Sequence, residues 1–85
     1  MRLDKFLKVS RIIKRRTVAK QVCDTGRVLI NGRAAKAGTS LKIGDVIEIG
    51  YAKGSIKAEI IELREHVTKD GARDLYKIIS GSEIE

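Results

Sequence analysis

The chain has 85 residues, a formal net charge of +7, and 42% hydrophobic and 34% charged residues. This length fits one domain, and this balance is typical of a soluble globular protein rather than a disordered tail. No apolar run approaches the roughly 20 residues of a membrane span, which excludes a membrane-spanning chain. The basic N-terminus lacks the apolar stretch of a secretory signal, and the single Cys23 cannot form an internal disulfide, so we expect a cytoplasmic protein.

The net charge is concentrated at one end of the chain. Eight of the 18 cations but one of the 11 acids lie in residues 1–20, so this segment carries +7 and the remaining residues sum to zero. A solvated face does not need such a concentration, because self-repulsion weakens a small fold. The cluster therefore predicts a polyanionic partner. Nucleic acid is favoured over an acidic membrane surface, since the apolar residues of this segment are needed for the core.

Two short helices are predicted in the basic segment and just after it. Leu3, Phe6 and Leu7 fall at i, i+3 and i+4, which predicts a helix that ends or bends at residues 10–11. Residues 12–13 are both Ile and are expected to enter the core at this bend.

The second helix is expected to begin at Thr17, whose hydroxyl can cap the free amides of the first turn. Its apolar stripe is Ala19, Val22 and Cys23. Gly26 suits the left-handed residue that follows a helix C-terminus.

The sequence then changes to a strand pattern. Residues 27–30 are rich in β-branched and aliphatic side chains, and Asn31-Gly32 directly after them is a strong hairpin signal. Gly44-Asp45 is predicted to lie in a turn. Further strands are predicted over residues 33–37, 46–51 and 55–63.

The last segment is ambiguous. Ala72, Leu75, Tyr76 and Ile79 fall at i, i+3, i+4 and i+7, which favours a helix over residues 69–79. The run from Leu75 to Ile79 alone is also compatible with a strand.

The predicted fold class is therefore a small α+β domain. Two short N-terminal helices pack on antiparallel β-hairpins, and a C-terminal helix follows. We expect residues 1–63 to form an RNA-binding domain and residues 64–85 to form a helical extension of the same domain.

The sequence contains little that resembles a catalytic site. His66 is a lone histidine in a polar stretch, and such a residue is usually solvated rather than a base or a ligand. Cys23 on an apolar stripe is expected to be a small core residue. Metal binding would need several Cys or His residues at ligand spacing. We therefore predict no enzymatic activity, no metal and no cofactor.

The basic connection between the helices indicates how a polyanion is bound. Lys14, Arg15 and Arg16 precede the second helix, where cations and free amides can meet phosphates together. The chain has only three aromatic residues, too few for a base-stacking platform. The cations lie on the first helix and the connection, which favours a folded RNA recognised through phosphates and shape. A DNA-binding regulator of helix-turn-helix type remains an alternative.

An ordered set of motifs in residues 1–50 resembles the S-four RNA-binding domain. The motifs are residues 2–7 (RLDKFL), 14–16 (KRR) with Ala19, 26–32 (GRVLING) and 44–49 (GDVIEI). The resemblance implies that the first helices and their connection form the RNA-binding face, and that the hairpins support them.

A chain of this size resembles two ribosome-associated families that carry this domain. They are the fifteen-kilodalton heat-shock protein family and, more closely, a shorter bacterial family of ribosome-associated quality control. The second resemblance implies binding to an obstructed large ribosomal subunit, with contacts to large-subunit ribosomal RNA and to peptidyl-tRNA. It also implies a partner factor that adds alanine tails. We further expect a monomer in solution and no membrane contact. A general rRNA-binding heat-shock or ribosome-assembly factor is the alternative.

The resemblance also implies which residues contact RNA. By position they are Arg2, Asp4, Lys5, Arg11, Lys14, Arg15, Arg16 and Lys20. For Asp4 a second interpretation is open, in which its carboxylate interacts favourably with the helix dipole or acts as a brace that orients Arg16 or a neighbour. Asn31 and Gly32 are expected to serve the hairpin rather than a ligand.

Overall fold

The computed structural model describes residues 1–51 and 54–81. The chain begins with helices α1 (Leu3–Val9) and α2 (Arg16–Asp24). They are followed by β1 (Val28–Ile30), β2 (Arg33–Ala34), β3 (Val46–Tyr51), β4 (Gly54–Ile60), a 3₁₀ helix (Gly71–Leu75) and β5 (Tyr76–Gly81). Within the described residues, the strands form one antiparallel sheet in the order β2-β1-β3-β4-β5. The predicted α+β class, with two helices against antiparallel strands, is confirmed.

The core lies between the two helices and one face of the sheet. Alternate residues of β3 and β4 point inward, as a strand period of two requires, and the residues between them face water. The predicted stripes of both helices meet these strands in one buried cluster. Its largest members are Leu3, Phe6, Leu7, Ile12, Ile13, Ile47, Ile49, Ile56, Ile60 and Leu75. Since full burial of one such side chain contributes about 1.5–3 kcal/mol, this cluster is the main stabilising feature of the domain.

The connection between the helices bends at the predicted position. Ser10 ends α1, and Arg11 takes a left-handed conformation with φ of 60°. The Ser10 hydroxyl donates to the Leu7 carbonyl at 3.3 Å and accepts from the Ile12 amide at 3.4 Å. Ile12 and Ile13 are then buried, which confirms that they enter the core.

Helix α2 begins earlier than predicted. Arg15 is the extended residue before the helix and Arg16 is its first residue, so the prediction of Thr17 as the cap is wrong. The reason is tertiary, because the buried Ile13 and an ion pair of Arg16 with α1 set the entry of the chain into the helix. Gly26 follows α2 with φ of 78°, as predicted.

The Asn31-Gly32 turn is confirmed, with both residues at positive φ (52° and 83°) as a type I′ hairpin turn requires. The Asn31 side chain accepts from the Val46 amide at 2.9 Å and donates to the Asp45 carboxylate at 3.0 Å. The other Asp45 carboxylate oxygen accepts from the Lys42 amide at 2.9 Å, which closes the predicted turn before β3. Asn31 therefore forms the hairpin turn and joins it to the start of β3, as expected of a structural residue.

Two strands are shorter than predicted. β2 ends at Ala34 rather than at residue 37, because the carbonyls of Ala37 and Thr39 bind the start of α1 instead of a neighbouring strand. β4 ends at Ile60 rather than at residue 63, and the next amide, that of Ile61, donates to the Leu75 carbonyl at 2.8 Å.

The helix predicted over residues 69–79, and with it the helical extension, is wrong. Ala72 and Leu75 lie in the 3₁₀ helix, where residues three apart share a face, and both are buried. Ile79 belongs to β5 and is 50% exposed. The apolar pattern therefore combines a 3₁₀ turn with a strand, which pairs with the otherwise open edge of β4. Residues 82–85 of the predicted extension lie outside the described residues.

Candidate RNA interface

The N-terminal end of α1 is held by a distant loop. The amides of Leu3 and Asp4 donate to the carbonyls of Thr39 (2.9 Å) and Ala37 (3.1 Å). Arg2 precedes α1 in an extended conformation, and its side chain remains 55% exposed. These bonds satisfy free amides of the first helical turn. They also place Arg2 at the edge of the basic face, by which we mean the surface formed by α1, α2 and the connection between them.

Asp4 is the centre of this face. Its carboxylate is only 4% exposed, and it accepts from the Arg2 Nε at 3.2 Å and the Arg16 Nε at 3.4 Å. It also accepts from the Lys5 amide at 2.9 Å. One buried acid therefore connects α1 to α2 and orients two half-exposed guanidinium groups, which agrees with the brace interpretation of Asp4.

The pKa of Asp4 reports the same arrangement. Burial raises the pKa of a carboxyl group, but the hydrogen bond and charge of Arg16 oppose it, together with the Lys5 amide and the Arg2 charge. The balance holds the pKa of Asp4 below its ordinary value. The carboxylate is therefore ionised at neutral pH despite its burial.

A shallow groove of about 310 Å³, which we name the first groove, runs beside this centre. Four cations line it, and the opposite wall comes from the segment after β4. Those cations are Lys5, Lys8, Arg11 and Arg16. On the opposite wall Glu65 forms an exposed ion pair with Lys5, and this contact lowers the pKa of Glu65. An anionic ligand in this groove would compete with Glu65 for Lys5.

A second groove of about 410 Å³ lies on the other side of Arg11. Arg11 and the predicted Lys14 line it together with residues of the C-terminal segment. Lys20 follows Arg16 by one turn of α2, so both side chains are on one helix face. Arg15 is exposed beside them but lines neither groove. The structure thus places all eight predicted residues along α1, the connection and α2.

The sequence analysis missed several charged residues of this face. Lys8 was not included, although it lies three residues from both Lys5 and Arg11 and repeats their spacing. Glu65 was also missed, and no local pattern could have found it because its contact with Lys5 spans 60 residues.

Cys23 and His66 are the other candidate groups of the sequence, and neither is central to the basic face. Cys23 is fully buried, and burial, followed by the charges of Asp4 and Asp24, raises its pKa to about 11, so the thiol stays protonated. This confirms Cys23 as a core residue. His66 is exposed and lines the first groove. Within residues 1–51 and 54–81, no group of His, Cys, Asp or Glu is arranged to hold a metal ion. The same part of the chain contains no helix with the length and apolar character of a membrane span.

Comparison with known proteins gives a consistent result. The family model described as "S4 domain" matches residues 1–47. A Streptococcus pneumoniae protein named RQC P-site tRNA stabilizing factor is 48% identical over 85 residues, covering 100% of this chain and 97% of the relative. A protein of the same name from Halalkalibacterium halodurans is 53% identical over 78 residues, covering 92% and 89% of the two chains.

The fold has a solved counterpart. The trimeric structure of Vibrio cholerae heat shock protein 15 superposes with a TM-score of 0.85 at 28% identity, covering 94% of this chain and 82% of the other. The full-length likeness to the tRNA stabilizing factors is much stronger in sequence than this likeness. The chain therefore belongs to the S4 domain family and, within it, to the family of the RQC P-site tRNA stabilizing factors.

Proposed function

We propose that this chain binds large ribosomal subunits obstructed by peptidyl-tRNA and stabilises the tRNA in the P site during ribosome-associated quality control. The observation that carries the proposal is the group of exposed cations arranged around the buried Asp4. It occurs in a chain whose full length is 48% identical to a protein named for this role.

The geometry around Asp4 suits phosphate recognition. Asp4 engages the Nε–H of Arg2 and of Arg16, so the terminal Nη–H groups of both guanidinium groups are available for phosphate oxygens. A guanidinium group whose orientation is already fixed loses less conformational entropy when it binds. Asp4 thus acts through Arg2 and Arg16 rather than by touching RNA.

Binding relies on phosphate and shape rather than on base stacking. Of the three aromatic residues, Phe6 is fully buried, Tyr76 is 8% exposed, and Tyr51 is half-buried and lines neither groove. None of them therefore offers an open ring face to an unpaired base in the grooves. Folded RNA is recognised mainly through backbone and 2′-hydroxyl contacts, which this face can provide through Lys5, Arg11 and Lys14.

The finer features of the proposal concern partners and location. The protein acts in the cytoplasm as a monomer and contacts large-subunit ribosomal RNA together with peptidyl-tRNA. By holding that tRNA it supports a partner factor that adds alanine tails to stalled chains. It makes no membrane contact and contributes positioning, without a cofactor or chemistry of its own.

The test is co-sedimentation with large subunits that carry peptidyl-tRNA, prepared by stalling translation and splitting ribosomes. Arg11→Glu with Arg15→Glu should abolish co-sedimentation, because two attractions become two repulsions. Arg16 is not reversed in this test, since a glutamate there would face the buried Asp4. Alanine tailing of stalled chains should fall in the same variant.

The matched control is Arg33→Glu with Lys42→Glu, which makes the same change of charge at exposed positions outside both grooves. It should keep wild-type binding. Equal binding to subunits without peptidyl-tRNA would favour a general rRNA-binding factor instead. Sedimentation with small subunits alone, or unchanged tailing once binding is lost, would contradict the quality-control role.

A further inference from the structure

The second groove is built from two parts of the chain that are far apart in sequence. One wall is the α1–α2 connection with Arg11 and Lys14, and the other is the segment around the 3₁₀ helix with Lys69 and Arg73. Ser10, Ala72 and Tyr76, all buried residues, complete the lining. The C-terminal wall lies outside residues 1–47, which match the S4 domain.

Cations dominate the described lining of this groove. Among residues 1–51 and 54–81, the four charged residues that line it are all cations. The acids of the same segment, Asp70 and Asp74, are not among the lining residues. In the part of the chain that the structure describes, Lys69 and Arg73 form no ion pair with an acid. The positive charges of Lys69 and Arg73 are therefore available to attract an anionic ligand.

The C-terminal wall is ordered by a local turn at its start and joined to the core at its end. At its start the Gly71 amide donates to the Thr68 hydroxyl at 3.0 Å. At its end the Leu75 carbonyl accepts from the Ile61 amide at 2.8 Å, and the Leu75 side chain is fully buried. The backbone that carries Arg73 is therefore fixed to the core before any ligand arrives, which lowers the entropic cost of binding.

The two grooves adjoin at Arg11, which lines both of them. The local hydrogen bonds of Ser10 hold this residue in its left-handed conformation, a conformation that a non-glycine residue adopts at a cost and that often marks functional positions. A polyanion bound in the first groove can therefore continue past Arg11 into the second. This continuity favours RNA over an acidic protein segment as the occupant.

We propose that the second groove binds a further stretch of RNA phosphate backbone through Lys69 and Arg73 together with Arg11 and Lys14. The inference rests on the proposed function, because it adds contacts to the same RNA. It extends the interface beyond the S4-matched residues and assigns a binding role to the C-terminal segment.

The test compares Lys69→Ala with Arg73→Ala against the control Arg33→Ala with Lys42→Ala, using large subunits that carry peptidyl-tRNA. We expect the first pair to lose roughly 10- to 50-fold in affinity near physiological salt, as two lost phosphate contacts predict. The slope of log affinity against log salt should fall by about two, one for each contact. The control pair should change neither quantity. Both pairs replace exposed side chains, and equal melting temperatures would establish that the fold is intact.

A second measurement locates the contact directly. Ultraviolet crosslinking of the bound complex, followed by mass spectrometry, should place RNA on the peptide that contains Lys69 and Arg73. If the double variant Lys69→Ala with Arg73→Ala keeps the wild-type affinity and salt slope, this inference is overturned. The same holds if that variant binds RNA normally but loses a partner protein. The proposed function would survive that result if Arg11→Glu with Arg15→Glu still abolishes binding, whereas it would fail if the wild-type protein did not bind.

Discussion

The basic face and the outer face of the sheet use charge in opposite ways. On the sheet, acids and bases lie directly opposite each other across strands, with Glu48 facing Lys57 and Glu59 facing Lys77. Such cross-strand pairs stabilise a sheet modestly, by about 0.2–1 kcal/mol each. On the basic face, cations greatly outnumber acids. Matched charge therefore stabilises the fold, whereas unmatched charge is available to a ligand.

Asp4 and Glu65, two acids that contact cations of the basic face, also differ from each other. Asp4 is buried and fixes the positions of Arg2 and Arg16, whereas Glu65 is exposed and pairs with Lys5. The first contact builds the interface and the second partly neutralises it. Removing each acid should therefore change RNA affinity in opposite directions.

The dependence of binding on salt concentration should distinguish the two faces most strongly. If six or more cations of the basic face bind phosphates, affinity for large subunits should fall about 10³-fold or more between roughly 50 and 200 mM salt. Lys57→Gln with Lys77→Gln, on the sheet, should leave this slope unchanged. A filter-binding titration measures both. A nearly flat wild-type slope would contradict phosphate binding, and equal affinity for duplex DNA of the same charge would favour a DNA-binding regulator.

Asp4→Asn tests the role of Asp4 directly, because a simple charge argument predicts higher RNA affinity and the brace argument predicts lower affinity. The substitution raises the net charge, yet we expect RNA affinity to fall roughly tenfold as Arg16 loses its charged acceptor. The free energy of unfolding should fall by about 1–2 kcal/mol. Arg16→Ala should lose a similar affinity and also lower the melting temperature, since it leaves the buried Asp4 carboxylate without its Arg16 partner. A rise in affinity for Asp4→Asn would rule out the brace.

The pH dependence of stability provides a further check on Asp4. Because its pKa is below the ordinary value, ionised Asp4 stabilises the fold above about pH 4, and this contribution disappears as pH falls through the lowered pKa. The difference in unfolding free energy between wild type and Asp4→Asn should therefore be constant from about pH 5 to 8 and shrink below about pH 4. Denaturant titrations at each pH measure it. A difference that persists at lower pH would show that the carboxylate charge is not its cause.

Arg11→Gly should separate binding from stability. Arg11 has a φ of 60°, and this left-handed conformation costs a non-glycine residue about 1–2 kcal/mol. Glycine avoids this cost, but its greater freedom in the unfolded chain offsets part of the gain in stability. We expect stability to be equal or up to about 1 kcal/mol higher, and RNA affinity to be roughly fivefold lower. Arg11→Ala removes the same charge without relieving the backbone. If Arg11→Gly unfolds the protein, the residue is structural.

Glu65→Gln should have the smallest effect, and in the favourable direction. It releases Lys5 and removes a negative charge from the wall of the first groove, so RNA affinity should rise about two- to threefold at low salt. Glu48→Gln, on the sheet, removes the same charge and should leave affinity within error. A decrease for Glu65→Gln would mean that Glu65 orients Lys5 in the bound state.

The elements with strong local signals were predictable from the sequence. The stripe of α1, the Asn31-Gly32 turn and the bend at residues 10–11 all depend on neighbours within a few residues, and the structure confirms them. The C-terminal segment was not predictable in this way, because one apolar spacing served a 3₁₀ turn and then a strand. Its β5 pairs with β4 across a long separation in sequence.

The position of the charge, the hairpin and the order of the motifs follow from the amino-acid sequence alone, since charge and turn chemistry belong to single residues and their immediate neighbours. The folded structure was needed to establish that Asp4 holds Arg2 and Arg16 together, that Glu65 reaches Lys5, and that residues 71–81 form no regular α-helix. It was also needed to establish that Lys69 and Arg73 meet Arg11 and Lys14 in one groove. These contacts form when the core and the sheet edge bring distant segments together, and no local pattern encodes that meeting.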